Sequence, residues 1–224
     1  MTFENFIANS KAIFEAFPNE QVWLQGGFRA NRQIGMPEAG YCVVLRYDQN
    51  VTDLIANYMK KIFAILPPVV EYDAQSLHTT IGVFEKGAVK GFAPDSEVLK
   101  RLGKSVKTGL RNNPGNPAVT FERWLYNQEA MLISGYPNLD LWYLMQKIGE
   151  ACQENGVPLE RGHIMHITTA RFTRGVSRPV FEQFLRLMDS APIIGTTKPS
   201  AIDVATWQCD GLMFDLVTHD QYLI

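Results

Sequence analysis

Two short stretches of this 224-residue chain carry side chains that could do acid–base chemistry together. The first is Leu77-His78-Thr79-Thr80-Ile81-Gly82-Val83-Phe84; the second is Met165-His166-Ile167-Thr168-Thr169-Ala170-Arg171-Phe172. Both read apolar-His-x-Thr. On a strand, successive side chains alternate faces, so His78 and Thr80 share a face, as do His166 and Thr168. Each strand then offers an imidazole and a hydroxyl side by side. Two such pairs suit phosphodiester cleavage without a metal. One neutral imidazole takes a proton from the attacking oxygen, a protonated one returns a proton to the leaving oxygen, and the hydroxyls donate to the phosphoryl oxygens as charge develops. An unperturbed imidazole pKa of about 6.5 lets both forms exist near neutral pH.

Other candidates are weaker. Arg171 follows Thr168 by three residues, so on an ideal strand it points away unless a bulge turns it back. Its planar fork suits phosphate, and a surface ion pair is the alternative. Arg161, Arg174 and Arg178 flank the second motif and read more simply as solvated charges. His163 falls on the opposite strand face or in the entering loop. The His163-x-x-His166 spacing therefore splits the two rings, and no metal site is expected. His219 reads as an exposed polar end. Trp124, Tyr126 and Tyr143 could stack on a base, but residues in such patterns usually belong to a core.

The elements that must position the motifs follow from periodicity. Phe3, Phe6, Ile7, Ile13, Phe14 and Phe17 form the apolar stripe of an N-terminal helix stopped by Pro18-Asn19. Val22 to Gly40, punctuated by glycines and holding Arg29 and Arg32, reads as a loop or lid. Strands are expected at Tyr41–Tyr47, Val69–Tyr72, Leu77–Phe84, His163–Phe172, Ala201–Trp207 and Leu212–Val217, with one or two between Val119 and Ser134. Helices are expected at Val51–Leu66, closed by Pro67-Pro68, and at Asp95–Asn113, Leu139–Asn155 and Pro179–Met188. This order favours an α/β or α+β sandwich of two similar halves. Residues 1–40 form a helix-and-loop extension, and residues 41–224 form one bilobal domain.

Composition narrows the classes. With 46% apolar and 20% charged residues the chain is globular, and a net charge of −2 supplies no global field for polyanions, so any nucleic-acid contact is local. Cys42, Cys152 and Cys209 are too few and too scattered for a disulfide framework, which fits a reducing compartment. The start lacks the basic and apolar regions of a secretory signal. The longest apolar stretch, Ile62 to Val70, is far short of the roughly 20 residues of a membrane span. A soluble cytoplasmic protein without membrane association is expected.

The paired motifs resemble the 2H phosphoesterases, also called LigT-like or 2′-5′ RNA ligase-like proteins, which carry two His-x-Thr/Ser motifs in two pseudo-symmetric lobes. The run His166-Ile167-Thr168-Thr169-Ala170-Arg171-Phe172 is similar to the family's His-x-Thr-Leu-Ala-Arg-Phe, with Thr169 in place of Leu. Glu154-Asn155-Gly156, at the end of the preceding helix, fits the same layout. The likeness covers roughly residues 41 to 220. It implies an α+β fold of two β-α-β-β lobes, antiparallel-rich sheets with flanking helices, in which His78, Thr80, His166 and Thr168 meet at a cleft floor as catalytic residues. It places Arg171 near bound substrate and implies metal-independent, cofactor-free hydrolysis of cyclic phosphates or 2′-5′ phosphodiesters of nucleotides or RNA ends. Thr79 and Gly82-Val83 depart from the Leu-rich pattern of many members, and residues 1–40 have no counterpart in the shortest. A non-catalytic nucleotide- or RNA-binding module of the same fold is the alternative, and a ligase-direction activity is a third reading.

Overall fold

The structure, a computed structural model, describes every residue except 18 and 112–114, and only the backbone of residues 19 and 20. Among the described residues nine strands form one sheet: β1 Glu38–Tyr47, β2 Val69–Glu71, β3 Thr79–Ala88, β4 Val119–Tyr126, β5 Ala130–Pro137, β6 Met165–Phe172, β7 Gly195–Thr197, β8 Pro199–Cys209 and β9 Phe214–Leu223. The helices are α1 Phe3–Glu15, α2 Gln49–Phe63, α3 Ser96–Arg111, α4 Leu139–Glu154 and α5 Arg178–Met188. The sheet order is β7-β4-β5-β6-β3-β1-β8-β9, with β2 added to β6, and the pairings among these strands are all antiparallel.

The two halves expected from the sequence are halves of a single sheet. The units β1-α2-β3 and β5-α4-β6 correspond: in each, a helix connects two adjacent antiparallel strands, and the second strand carries or opens just after the histidine. Between β3 and β6 the halves meet at one Cα pair, Thr79 with Ile167, and β2 extends the junction along the far end of β6. Thr79 and Ile167 are the residues between His and Thr in the two motifs.

One sheet face packs against helices. Tyr41, Val43, Leu45 and Tyr47 of β1 join Ile81, Ile133, Met165 and Ile167 in the main core, closed by apolar residues of α2 to α5. Burial at roughly 25 cal/mol per Å² of apolar surface makes this face the main source of stability. Helix α1 packs on the other side of the second half. Phe14 is buried on Leu125 and Leu132, while Phe6 meets the Trp142 ring of α4 at 4.7 Å. The stop expected at Pro18 lies outside the described residues, and α1 ends at Glu15. Asn112 and Asn113, expected to end α3, also lie outside them.

The segment expected as a loop over Val22–Gly40 holds short 3-10 turns at Asn19–Val22 and Arg32–Ile34 and the start of β1 at Glu38. It is stitched down by Asn31, whose side chain donates to the carbonyls of Phe172 (2.8 Å) and Gly211 (3.0 Å). Gly211 turns β8 into β9 with φ +85°, and a Cβ there would collide with the Ile34 backbone nitrogen. Gly82 answers a second close approach, since a Cβ would lie 2.8 Å from Leu159 where Val83 and Glu160 form an isolated bridge. That bridge takes up the edge of β3 beyond the point where β6 leaves it. Short β7 carries no periodic signal and is found only as a partner of β4.

Gly211→Ala is expected to destabilise the fold by more than about 1 kcal/mol, from backbone strain and the Ile34 clash. Gly87→Ala, in open space, should stay within about 0.5 kcal/mol. Chemical denaturation of the two variants checks this, and equal losses would contradict it.

Candidate active site

The seam sets the geometry of the site. Continuing the Thr79–Ile167 register one residue each way places His78 opposite Thr168 and Thr80 opposite His166. Thr79 and Ile167 face the core and are fully buried, so the four motif side chains share the opposite face. The two histidines are then diagonal neighbours, about 7–8 Å apart at the backbone. All four line one cleft of about 200 Å³.

A bulge follows each motif. In β6, Leu132 pairs with Thr168 and Met131 with Ala170, so Thr169 is the extra residue. In β3, Val44 pairs with Thr80 and Val43 with Gly82, so Ile81 is extra. A one-residue bulge inverts the facing of the residues beyond it. Ala170 and Phe172 therefore enter the core, while Arg171 turns into the cleft with Thr168. Val83 is turned in at the equivalent position of the first half. One wall is thus apolar where the other is cationic.

Arg171 is held by neutral acceptors. Its Nε donates to the Tyr72 hydroxyl at 2.9 Å and its Nη1 to Gln33 Oε1 at 3.5 Å. Gln33 in turn donates to Glu38, which pairs with Lys86 at 3.1 Å and Arg32 at 3.8 Å. Burial raises the Glu38 carboxyl, but the bonds from Lys86 and Gln33 and the charges of Lys86 and Arg32 outweigh it and hold the group below its ordinary range. The Cys209 thiol at the same mouth is pushed up by burial and stays protonated, which disfavours a thiolate nucleophile.

The imidazoles are held differently. His78 Nδ1 lies 2.6 Å from the Ser76 carbonyl, an acceptor only, so Nδ1 carries the hydrogen and Nε2 is left for the cleft. Its ring stacks on Phe214, with centroids 5.7 Å apart. His166 Nδ1 is enclosed and has no hydrogen-bond partner among the described residues; the nearby Ile164 backbone biases the ring toward charge but makes no well-formed bond. Burial lowers His78 to about 4 against the Ser76 bond, helped by the charges of Arg46 and Arg171. Burial lowers His166 to about 4 as well, helped by His78 and Arg171. Both rings are therefore neutral at pH 7 in the open cleft.

The remaining candidates lie elsewhere. Trp124 donates to the Pro192 carbonyl and packs on Tyr58, and Tyr126 is buried with Phe184. Tyr143 is exposed on α4 away from the cleft. The aromatic residues lining the cleft are Tyr72, Trp207 and Phe214, which no local pattern marked. Arg161, Arg174 and Arg178 do not line it, and Arg178 pairs with Glu182. Arg32 and Lys86 supply the mouth's cations. His163 is exposed, its carbonyl accepting from Ser10, and the exposed His219 ring is bonded to Thr206 at 2.9 Å. Among the described residues no three His, Cys, Asp or Glu side chains converge as a metal set, and no helix is long and apolar enough to cross a membrane.

No protein-family model matches the chain, and no curated protein matches it in sequence. Solved structures match it in fold. A crystal structure of a phosphoesterase superposes with a TM-score of 0.55 at 12% identity, over 83% of this chain and 97% of its own. E. coli LigT complexed with 3′-AMP gives 0.55 at 14% identity, and complexed with NADP+ 0.52 at 16%, each over 84% of this chain and 98% of that one. A conserved protein of unknown function from Agrobacterium tumefaciens gives 0.52 at 15% identity over 85% and 90%. The chain has the α+β fold of the LigT-type phosphoesterases, with its antiparallel sheet and flanking helices.

The neutral imidazoles have a consequence for stability. Between about pH 6.5 and about 4 the unfolded chain binds protons that the folded rings refuse. Their destabilising effect is therefore absent above that window and grows as pH drops through it. The double variant His78→Gln/His166→Gln is expected to show a shallower loss of thermal midpoint over that range. Identical slopes would refute the assignment.

Proposed function

We propose that the cleft is the active site of a metal-independent phosphodiesterase that hydrolyses cyclic phosphate or 2′-5′ phosphodiester bonds of nucleotides or RNA ends. The observation that carries this reading is the seam pair Thr79–Ile167, which sets two imidazole–hydroxyl pairs on one cleft floor. One imidazole accepts a proton from water as its oxygen attacks phosphorus. The ester P–O bond opposite breaks, and the second imidazole, protonated, gives its proton to the departing oxygen. The sum is addition of one water and release of a phosphomonoester. Thr80, Thr168 and Arg171 donate to the non-bridging oxygens as charge builds on them. The nucleotides bound by E. coli LigT support a nucleotide as the class of substrate.

Two rings near pKa 4 cannot supply an acid at pH 7 unaided. A phosphodiester anion within about 4–6 Å favours the charged imidazole, so the substrate itself recruits the proton. Binding and protonation are thus coupled. The optimum of kcat/KM, which reports the free protein, is expected on the acidic side of the kcat optimum.

His78→Ala and His166→Ala are each expected to lower kcat on nucleoside 2′,3′-cyclic phosphates and 2′-5′ dinucleotides by about 10²- to 10⁴-fold, with activity persisting in excess EDTA. Chromatographic detection of the monoester product measures it. Nucleotide binding without turnover by the wild type would favour a binding module instead, and ATP-independent joining of RNA ends would favour the ligase direction.

A further inference from the structure

Behind the cleft wall the two imidazoles are not equivalent. The β1–β3 register pairs Leu45 with Thr79, so the next residue, Arg46, lies opposite His78. In the other half the residue opposite His166 is Ser134, a buried neutral hydroxyl that accepts from the Arg123 amide. A guanidinium therefore stands opposite one ring and a hydroxyl opposite the other.

Arg46 is not among the cleft-lining residues, and its side chain is 17% exposed. Its Nε lies 3.4 Å from Oδ2 of Asp203, itself 1% exposed and also accepting from Thr218 (2.8 Å) and Gln221 (2.9 Å). Its Nη2 donates to the Gln75 carbonyl, and Nη1 is buried with no partner among the described residues. Gln75 belongs to the tight turn closed by the Ser76 amide on Asp73 Oδ1 at 2.7 Å. The Ser76 carbonyl of that turn takes the His78 Nδ1 hydrogen. A continuous path of bonds thus runs from the buried carboxylate through the guanidinium to the turn that sets the tautomer of His78. A buried ion pair is seldom needed for stability, because apolar replacements of similar volume are often neutral or better.

We propose that Arg46, anchored by Asp203, is a positioning residue that fixes the ring orientation of His78 through the Gln75–Ser76 turn. The proposal rests on the reading of His78 as a proton-transfer group. The groups facing His78 are Arg46 from β1, His166 and Arg171 from β6, Tyr72 beside the turn and the Phe214 ring from β9. Arg46 is the one among them that brings a guanidinium without lining the cleft, and its counter-charge is the buried Asp203 of β8, not a substrate anion.

The test is an NMR titration of the two imidazoles alongside kinetics on a nucleoside 2′,3′-cyclic phosphate. Arg46→Met removes charge and tether. It is expected to raise the His78 pKa more than that of His166 and to lower kcat by about 10²-fold with KM nearly unchanged, as a misplaced ring would. Arg46→Lys keeps the charge but cannot span Asp203 and Gln75 with one compact ammonium. It should leave the His78 pKa near wild type and still lose kcat. The double variant Arg46→Met/Asp203→Leu leaves no buried unpaired carboxylate and guards against a folding failure. A folded Arg46→Met or double variant with an unmoved His78 pKa and intact kcat overturns the proposal. A shifted His78 in a protein whose wild type turns over no cyclic phosphodiester supports the positioning role and refutes the catalytic reading instead.

Discussion

The contact on which the site depends is a single backbone pairing. Thr79 and Ile167 are, among the described residues, the one Cα pair between β3 and β6, while β2 joins the halves farther along β6. Because strand side chains alternate, that one register determines which four side chains share the cleft face. A slip of β3 by one residue would turn His78 and Thr80 into the helix-packed core and expose Thr79, leaving His166 and Thr168 alone on the cleft face. The burial of Thr79, whose hydroxyl accepts from Tyr47 at 2.7 Å, and of Ile167 among the core residues opposes such a slip. The core that stabilises the fold thus also enforces the alignment of the cleft.

The same architecture sets the electrostatics. Concave floors desolvate what they hold, and desolvation disfavours charge. Both imidazoles are neutral for that reason first, with nearby cations reinforcing the effect. The hydroxyls and Arg171 then face a cleft whose cations are only partly balanced: Glu38 is shared by Lys86 and Arg32, while Arg171 is held by neutral oxygens. An anion would balance those cations and favour a protonated imidazole, and under the proposed function that anion is the phosphodiester.

The mouth is built by segments far from the motifs. The Asn31–Gln33 stretch of the N-terminal extension meets the Gly211 turn and the end of β6, and Phe214 from the following strand packs against His78 and Tyr72. Within the N-terminal extension, α1 buries Phe6 and Phe14 on the body, and Gln33 reaches the arginine of the second motif. Under the proposed function, selectivity among phosphodiesters would belong to this mouth, because the floor would meet only the group common to all of them.

The main helices and most strands were legible in the sequence because each buries one face of a local period, and the His-x-Thr pairs were legible because residues two apart on a strand point the same way. The turning of Arg171 into the cleft depended on a bulge at Thr169, which a partner strand creates and no local pattern announces. The aromatic lining from Tyr72, Trp207 and Phe214, the bridging of Gly82 to the loop before β6, and the charge of Arg46 behind His78 are likewise long-range pairings. By itself the sequence determined which residues could do proton chemistry and on which face of its own strand each would lie. Only the tertiary structure decided that those faces coincide, because the register between two strands so distant in the chain is set by the packing of both halves at once.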